Sequence, residues 1–164
     1  MVRERGEVKD GSGERGRDAS GQGDPHDLER FVRAQAPAWA TARAELRAGA
    51  KRTHWMWFVF PQARGLGRSA TAERFAIASI AEARAYLAHP VLGRRLREAS
   101  ELVLSHKERS LRAIFGAPDD LKFVSSMTLF DFALGDKDAP FARALDRWQG
   151  GARDVATLRL LAGD

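Results

Sequence analysis

The chain contains no cysteine. That excludes disulfides, thiolate nucleophiles and cysteine-ligated zinc, and it suits a reducing compartment. No apolar run approaches the roughly 18 residues of a membrane span, so no membrane partner is expected. Residues 1–23 carry charge but lack an apolar centre, which is not the pattern of a secretory signal. The expectation is a soluble, cytoplasmic protein. Histidine is scarce as well. His26, His54, His89 and His106 form no His-x-x-x-His or His-x-x-Glu-His spacing, so no metal is expected. Period-two alternation between hairpin turns is missing throughout, which leaves little material for a sheet.

What remains is 164 residues, enough for one domain with a real core. The first 23 stand apart. They hold six of the fifteen glycines, five basic against five acidic side chains, and only Val2 and Val8 as branched aliphatics. Such a segment buries too little apolar surface to offset the entropy of ordering it. A disordered tail is expected there, followed by a single helical domain over 24–164. The tail's zero net charge argues against a nucleic-acid-binding arm.

From Asp24 onward the punctuation is helical. Asp24-Pro25 reads as an N-cap with proline at the first helical position. Pro37 is expected to restart the chain, and Gly49 to end the second segment. Trp55 to Phe60 is short and aromatic enough for a strand, but a lone strand has no partner, so a helical turn is favoured. Ser69 and Ser79 read as caps, the latter in a Ser-x-x-Glu box with Glu82 reaching back to the cap's N–H. Further starts fall at Pro90, Ser110, Pro118, Pro140 and Asp154, and further stops at Gly116 and Gly150. Asp119 and Asp120 read as acids favoured by the macrodipole at a helix start. The predicted fold is all-α, a compact orthogonal assembly of about eight or nine short helices.

Charge and aromatic residues coincide in one place. Residues 43–74 hold seven basic side chains against two acidic ones, which accounts for the whole net charge of +5. Within them lies Lys51-Arg-Thr-His-Trp-Met-Trp-Phe-Val-Phe-Pro-Gln62, densely aromatic and polar at once. Such an excess draws anions and steers their approach. Trp55 and Trp57, about 200° apart on a helix, cannot share a face. One is expected to pack inward and the other to line a cleft. Gly65-Leu66-Gly67-Arg68-Ser69 follows and leads into a helix, where free N–H groups and a close backbone suit an anion. It is neither a Walker loop nor a dinucleotide fingerprint, and no cofactor is expected. Lys122, Ser125 and Ser126 fall at i, i+3 and i+4 of a later helix. A Ser–Lys pair is catalytic only with a desolvated lysine; otherwise the hydroxyls bond to the preceding turn or let helices approach closely.

These blocks resemble the family called domain of unknown function 1810, which includes small helical mycobacterial proteins. The resemblance rests on the Lys51–Gln62 run, Gly65-Leu-Gly-Arg-Ser69, Tyr86-Leu-Ala-His-Pro-Val-Leu-Gly93, and Pro118-Asp-Asp-Leu-Lys-Phe-Val-Ser-Ser-Met-Thr-Leu-Phe130. The closing Gly150–Leu158 segment is similar too. It spans about residues 24–161 and implies an all-helical fold, with no established activity.

The function expected from these residues is binding of a small anionic, nucleotide-like ligand. Trp55 or Trp57 would stack on its planar part. Lys51, Arg52, Arg68 and the Gly65, Gly67 and Ser69 backbone would hold its charge, and His54, Gln62 and Lys122 would supply hydrogen bonds. One alternative is an enzyme acting on nucleotide-derived or ADP-ribosyl groups through His54 or Lys122. The other is a nucleic-acid or protein interaction module, for which a charge excess of only +5 is small.

Overall fold

The computed structural model describes residues 23–163, so the expected disordered tail lies, save for Gly23, outside the described residues. Nine α-helices succeed one another within them: α1 Glu29–Ala48, α2 Met56–Val59, α3 Ala70–Arg74, α4 Ile80–Ala88, α5 Leu92–Leu104, α6 Leu111–Phe115, α7 Asp119–Leu134, α8 Pro140–Gln149 and α9 Val155–Ala162. Among the described residues there is no named strand. Extended pairing is limited to one parallel bridge between Ala63 and Ile77.

The helix boundaries follow local chemistry. Ser69, Ser79, Ser110 and Asp154 each accept a backbone N–H three residues ahead, satisfying donors that a helix start leaves free. Gly49, Gly135 and Gly150 end α1, α7 and α8 in the left-handed conformation. Gly49 (φ 73°) also lies against the His106 ring, leaving a side chain no space there. At Gly93 a Cβ would overlap the Leu87 carbonyl, so this glycine lets α5 start hard against the end of α4.

Three local expectations need correction. The Asp24-Pro25 start is displaced: α1 begins at Glu29, although the Asp24 carboxylate still accepts the N–H groups of Leu28 and Glu29 at 2.6 and 3.0 Å. Pro37 does not restart the chain but sits inside α1. It is exposed, as is Arg33 one turn before it, so the carbonyl that proline leaves unpaired faces water. Phe31, Gln35, Ala42 and Leu46 meanwhile form one buried stripe through it. Finally, Glu82 reaches past its own cap. Its Oε1 accepts from Ala78 N at 3.0 Å, and its Oε2 pairs with Arg30 at 2.7 Å.

α7 is the axis of the molecule. Nine of its sixteen residues are buried, on all sides, as expected of a helix enclosed by others. It packs against α4, α6, α8 and α9, while α5 bridges α1, α4 and α8. A chain of rings runs through the core, Phe31 to Tyr86 to Phe130 to Phe141, with centroids 5.1 to 5.9 Å apart. A second group, Phe60, Phe115 and Phe123, packs at 4.9 to 5.8 Å beneath α2. No described helix is long and apolar enough to cross a membrane.

Candidate functional site

The aromatic box is one helical turn slung between two polar anchors on α1. At its start, the Glu45 carboxylate gathers four donors. Oε1 accepts from Arg52 N at 2.7 Å, Thr53 N at 3.0 Å and Trp55 Nε1 at 2.9 Å, and Oε2 accepts from Thr53 Oγ1 at 2.8 Å. Burial by itself would raise the pKa of Glu45. The hydrogen bonds from Arg52, Thr53 and Trp55 outweigh it and lower the value from 4.5 to about 2. At the other end, buried Gln35 donates to the Phe58 carbonyl at 2.7 Å and to the Tyr86 hydroxyl at 3.0 Å, and accepts from Arg95 at 3.3 Å. Burial raises the Tyr86 pKa, against the opposing pull of the Gln35 hydrogen bond and the Arg95 charge. The anchors are ten residues apart on one helix, about 15 Å, so α1 fixes both ends of the box.

The two tryptophans part company as a helical turn requires. Trp55 is buried at 1% exposure, beside Phe60 at 6.3 Å and beneath the Lys51 ammonium at 5.3 Å. Trp57 is half-buried. The His54 ring lies 6.5 Å from it and the Lys122 ammonium 6.0 Å from its centroid. Behind Trp57 runs a slot walled by Met56, Phe60, Phe75 and Ala76, with Gln62, Gly67 and Lys122 also lining it. Its free volume is about 10 Å³, on the order of one water site. The slot is closed.

The structure therefore brings Trp57, Gln62, Gly67 and Lys122 together, with exposed His54 against the outer side of the indole. Lys51 lies elsewhere. It is 9% exposed and pairs with Asp119 at 2.9 Å, while Lys122 approaches the same carboxylate at 3.6 Å. Asp119 is thus more than a helix-start acid: it joins the box to α7. Arg52, Gly65, Arg68 and Ser69 are exposed and do not line the slot. Ser69 spends its hydroxyl on Ala72 N at 3.1 Å, capping a helix of only five residues. A Cβ at Gly67 would overlap that of Ala72, so glycine is what allows the loop to turn down onto α3.

The hydroxyls of α7 are occupied with architecture. Ser125 donates to the Leu121 carbonyl at 3.2 Å and to Asp154 at 3.1 Å, and Thr128 donates to Val124 O at 2.9 Å while accepting from Asp154 N at 2.9 Å. They dock the start of α9. Ser126 Oγ is buried and has no hydrogen-bond partner among the described residues. Two histidines are structural too. His89 Nδ1 accepts from Val91 N and Leu92 N at the start of α5, and His106 Nε2 meets the Leu46 carbonyl at 2.7 Å. Among the described residues, no three His, Asp or Glu side chains gather as metal ligands.

Sequence reasoning missed Glu45, the shared role of Asp119, and the apolar walls Met56, Phe60 and Phe75. The aromatic density signalled that the region is special. It did not say which rings are wall and which are core.

A family model described as "Protein of unknown function (DUF1810)" matches residues 25–161. The crystal structure of the conserved hypothetical protein Rv1873 from Mycobacterium tuberculosis is similar at 54% sequence identity and a TM-score of 0.82, over 85% of this chain and 99% of that one. No curated protein matches.

Proposed function

The chain belongs to the DUF1810 family of proteins of unknown function, and within that fold we propose that the slot behind Trp57 binds a small planar anion, a nucleotide-like molecule. The observation that carries this reading is the half-buried Trp57 ring, with a lysine and a histidine against it and an apolar slot behind it. Indole faces stack on planar groups, and Lys122 supplies the countercharge. With about 10 Å³ of free volume the slot admits no base as it stands. Binding requires Lys122, 33% exposed and paired with Asp119 at 3.6 Å, to lift from the ring.

Binding is better supported than catalysis. His54 is exposed and has no hydrogen-bond partner among the described residues, and the Lys122 charge faces a carboxylate rather than a nucleophile. The test is calorimetric titration with nucleoside monophosphates. Binding is expected in the wild type, lost in Trp57→Ala and weakened roughly tenfold, about 1.4 kcal/mol, in Lys122→Gln. Equal affinity in Trp57→Ala and wild type would overturn the reading.

A further inference from the structure

Next to the Ala63–Ile77 bridge, at Arg64 and Ala78, lies a wide, polar hollow of about 560 Å³. Arg30, Arg33, Arg64 and Arg74 line it, with Asp27 and Glu82 as the only carboxylates among its lining residues. It shares no lining residue with the Trp57 slot.

Arg30 is its floor. A guanidinium has five N–H donors, and here all five have acceptors. Nε donates to Arg74 O at 2.8 Å, Nη1 to His26 O and Asp27 O at 2.7 and 2.9 Å, and Nη2 to Ala76 O and Glu82 at 2.9 and 2.7 Å. The buried Glu82 charge is thereby cancelled, and the backbone at residues 74 and 76 is pinned. Arg64 is pinned as well, its N–H donating to Ile77 O at 2.8 Å. The side chains of Arg64 and Arg74 therefore leave fixed backbone positions, and neither has a carboxylate within 4.0 Å among the described residues. Arg33 has only an exposed, 3.9 Å approach to Glu29. Three guanidiniums with donors to spare thus face one hollow, opposed among the described residues by Asp27 alone.

We propose that this hollow binds a small molecule carrying two or more linked phosphates through Arg33, Arg64 and Arg74. Guanidinium forks match phosphate oxygens in pairs, and arginines from three chain segments suit more than one phosphate. No Phe, Tyr or Trp lines the hollow, and His26 supplies its single ring against three available guanidiniums, so the recognised part is the oligophosphate rather than a base. The charge excess of residues 43–74 thus has two outlets. Lys51 is used for structure, whereas Arg64 and Arg74 remain available.

The probe is tripolyphosphate, titrated calorimetrically into the full chain at fixed ionic strength. Arg64→Gln/Arg74→Gln should lose at least tenfold in affinity, with circular dichroism unchanged, because neither side chain forms an ion pair among the described residues and that of Arg74 meets the fold only over the Phe75 ring, 5.2 Å from its centroid. Arg33→Gln alone should weaken binding by less. Arg94→Gln/Arg112→Gln removes the same charge from exposed positions outside the hollow and should leave affinity unchanged, as should Trp57→Ala. Equal losses in the two double variants would reduce the effect to net charge and overturn the proposal. So would no binding by the wild type, or binding of single-stranded oligonucleotides that strengthens with length and displaces tripolyphosphate.

Discussion

Trp55 and Trp57 are two residues apart on the same four-residue helical turn and its cap, yet their surroundings have little in common. Trp55 is sealed under Lys51, its indole N–H spent on Glu45, its ring continuous with Phe60 and the core. Trp57 keeps one side in solvent, and its neighbours are a histidine, a lysine and a slot. The contrast shows that an aromatic box can be two objects superimposed, half foundation and half surface, sorted by 100° per residue of helical rotation.

That contrast is sharpest in stability. Trp55→Ala should cost about 3–5 kcal/mol, as for truncation of a fully buried aromatic. Trp57→Ala should cost less than half of that. Urea unfolding of the two variants measures the difference, and equal costs would erase the distinction between foundation and surface.

Removing the charge that anchors Trp55 should have the next largest effect. Glu45→Gln is expected to lose about 1.5–3 kcal/mol, the usual range for hydrogen bonds to an ionised group. Its pH dependence carries a clear sign. The folded-state pKa of Glu45 is depressed to about 2 from 4.5. Its contribution is therefore fully present above about pH 4.5 and is lost as pH falls towards about 2. Unfolding free energies between pH 5 and 2.5 should fall less steeply in Glu45→Gln than in wild type; parallel curves would show that Glu45 is not the titrating anchor.

The two lysines around Asp119 repeat the comparison on a smaller scale. Lys51→Met removes a nearly buried cation from Asp119 and should cost about 1–2 kcal/mol. Lys122→Met, at a more exposed pair, should change stability by no more than about 0.5 kcal/mol. Lys122 costing as much as Lys51 would place both in the foundation. The smallest expected effect is an absence of signal. Tyr86 is the chain's one tyrosine, and burial raises its pKa above the usual 10.0. Its neutral form stabilises the fold below about pH 10, and that contribution is lost as pH rises further. Tyrosinate absorbance should therefore appear only as the protein unfolds, and its appearance in folded protein at pH 10 would show Tyr86 to be accessible.

The fold was largely legible because its signals are local. Ser69, Ser79, Ser110 and Asp154 cap where a polar side chain precedes an apolar stripe, and Gly49 and Gly150 stop helices where a positive φ is needed. Pro37 misled for the complementary reason: its tolerance depends on which side of α1 faces water, and that is decided by packing across the molecule. The inward–outward division of the tryptophans could also be anticipated, but not which was which. That depends on Glu45, ten residues earlier, and on Asp119, 68 residues after Lys51. Pairings over such separations leave no periodicity to read. The arginines at 64 and 74 were visible only as charge, since their convergence depends on Arg30 and on the backbone pairing of Arg64 with Ile77.

Arg30 also limits how this sequence can drift. Five acceptors on three stretches of chain converge on one planar fork. Lysine, whose three donors radiate from a single atom, cannot span them. Position 30 should therefore refuse even the substitution usually thought gentlest, and Glu82 should change only together with it. Arg64, and Arg74 with no more than its 5.2 Å approach to the Phe75 ring, should accept replacement far more freely wherever folding alone is under selection. A saturation library scored first for expression and then for ligand retention would separate the residue that builds the hollow from those that use it.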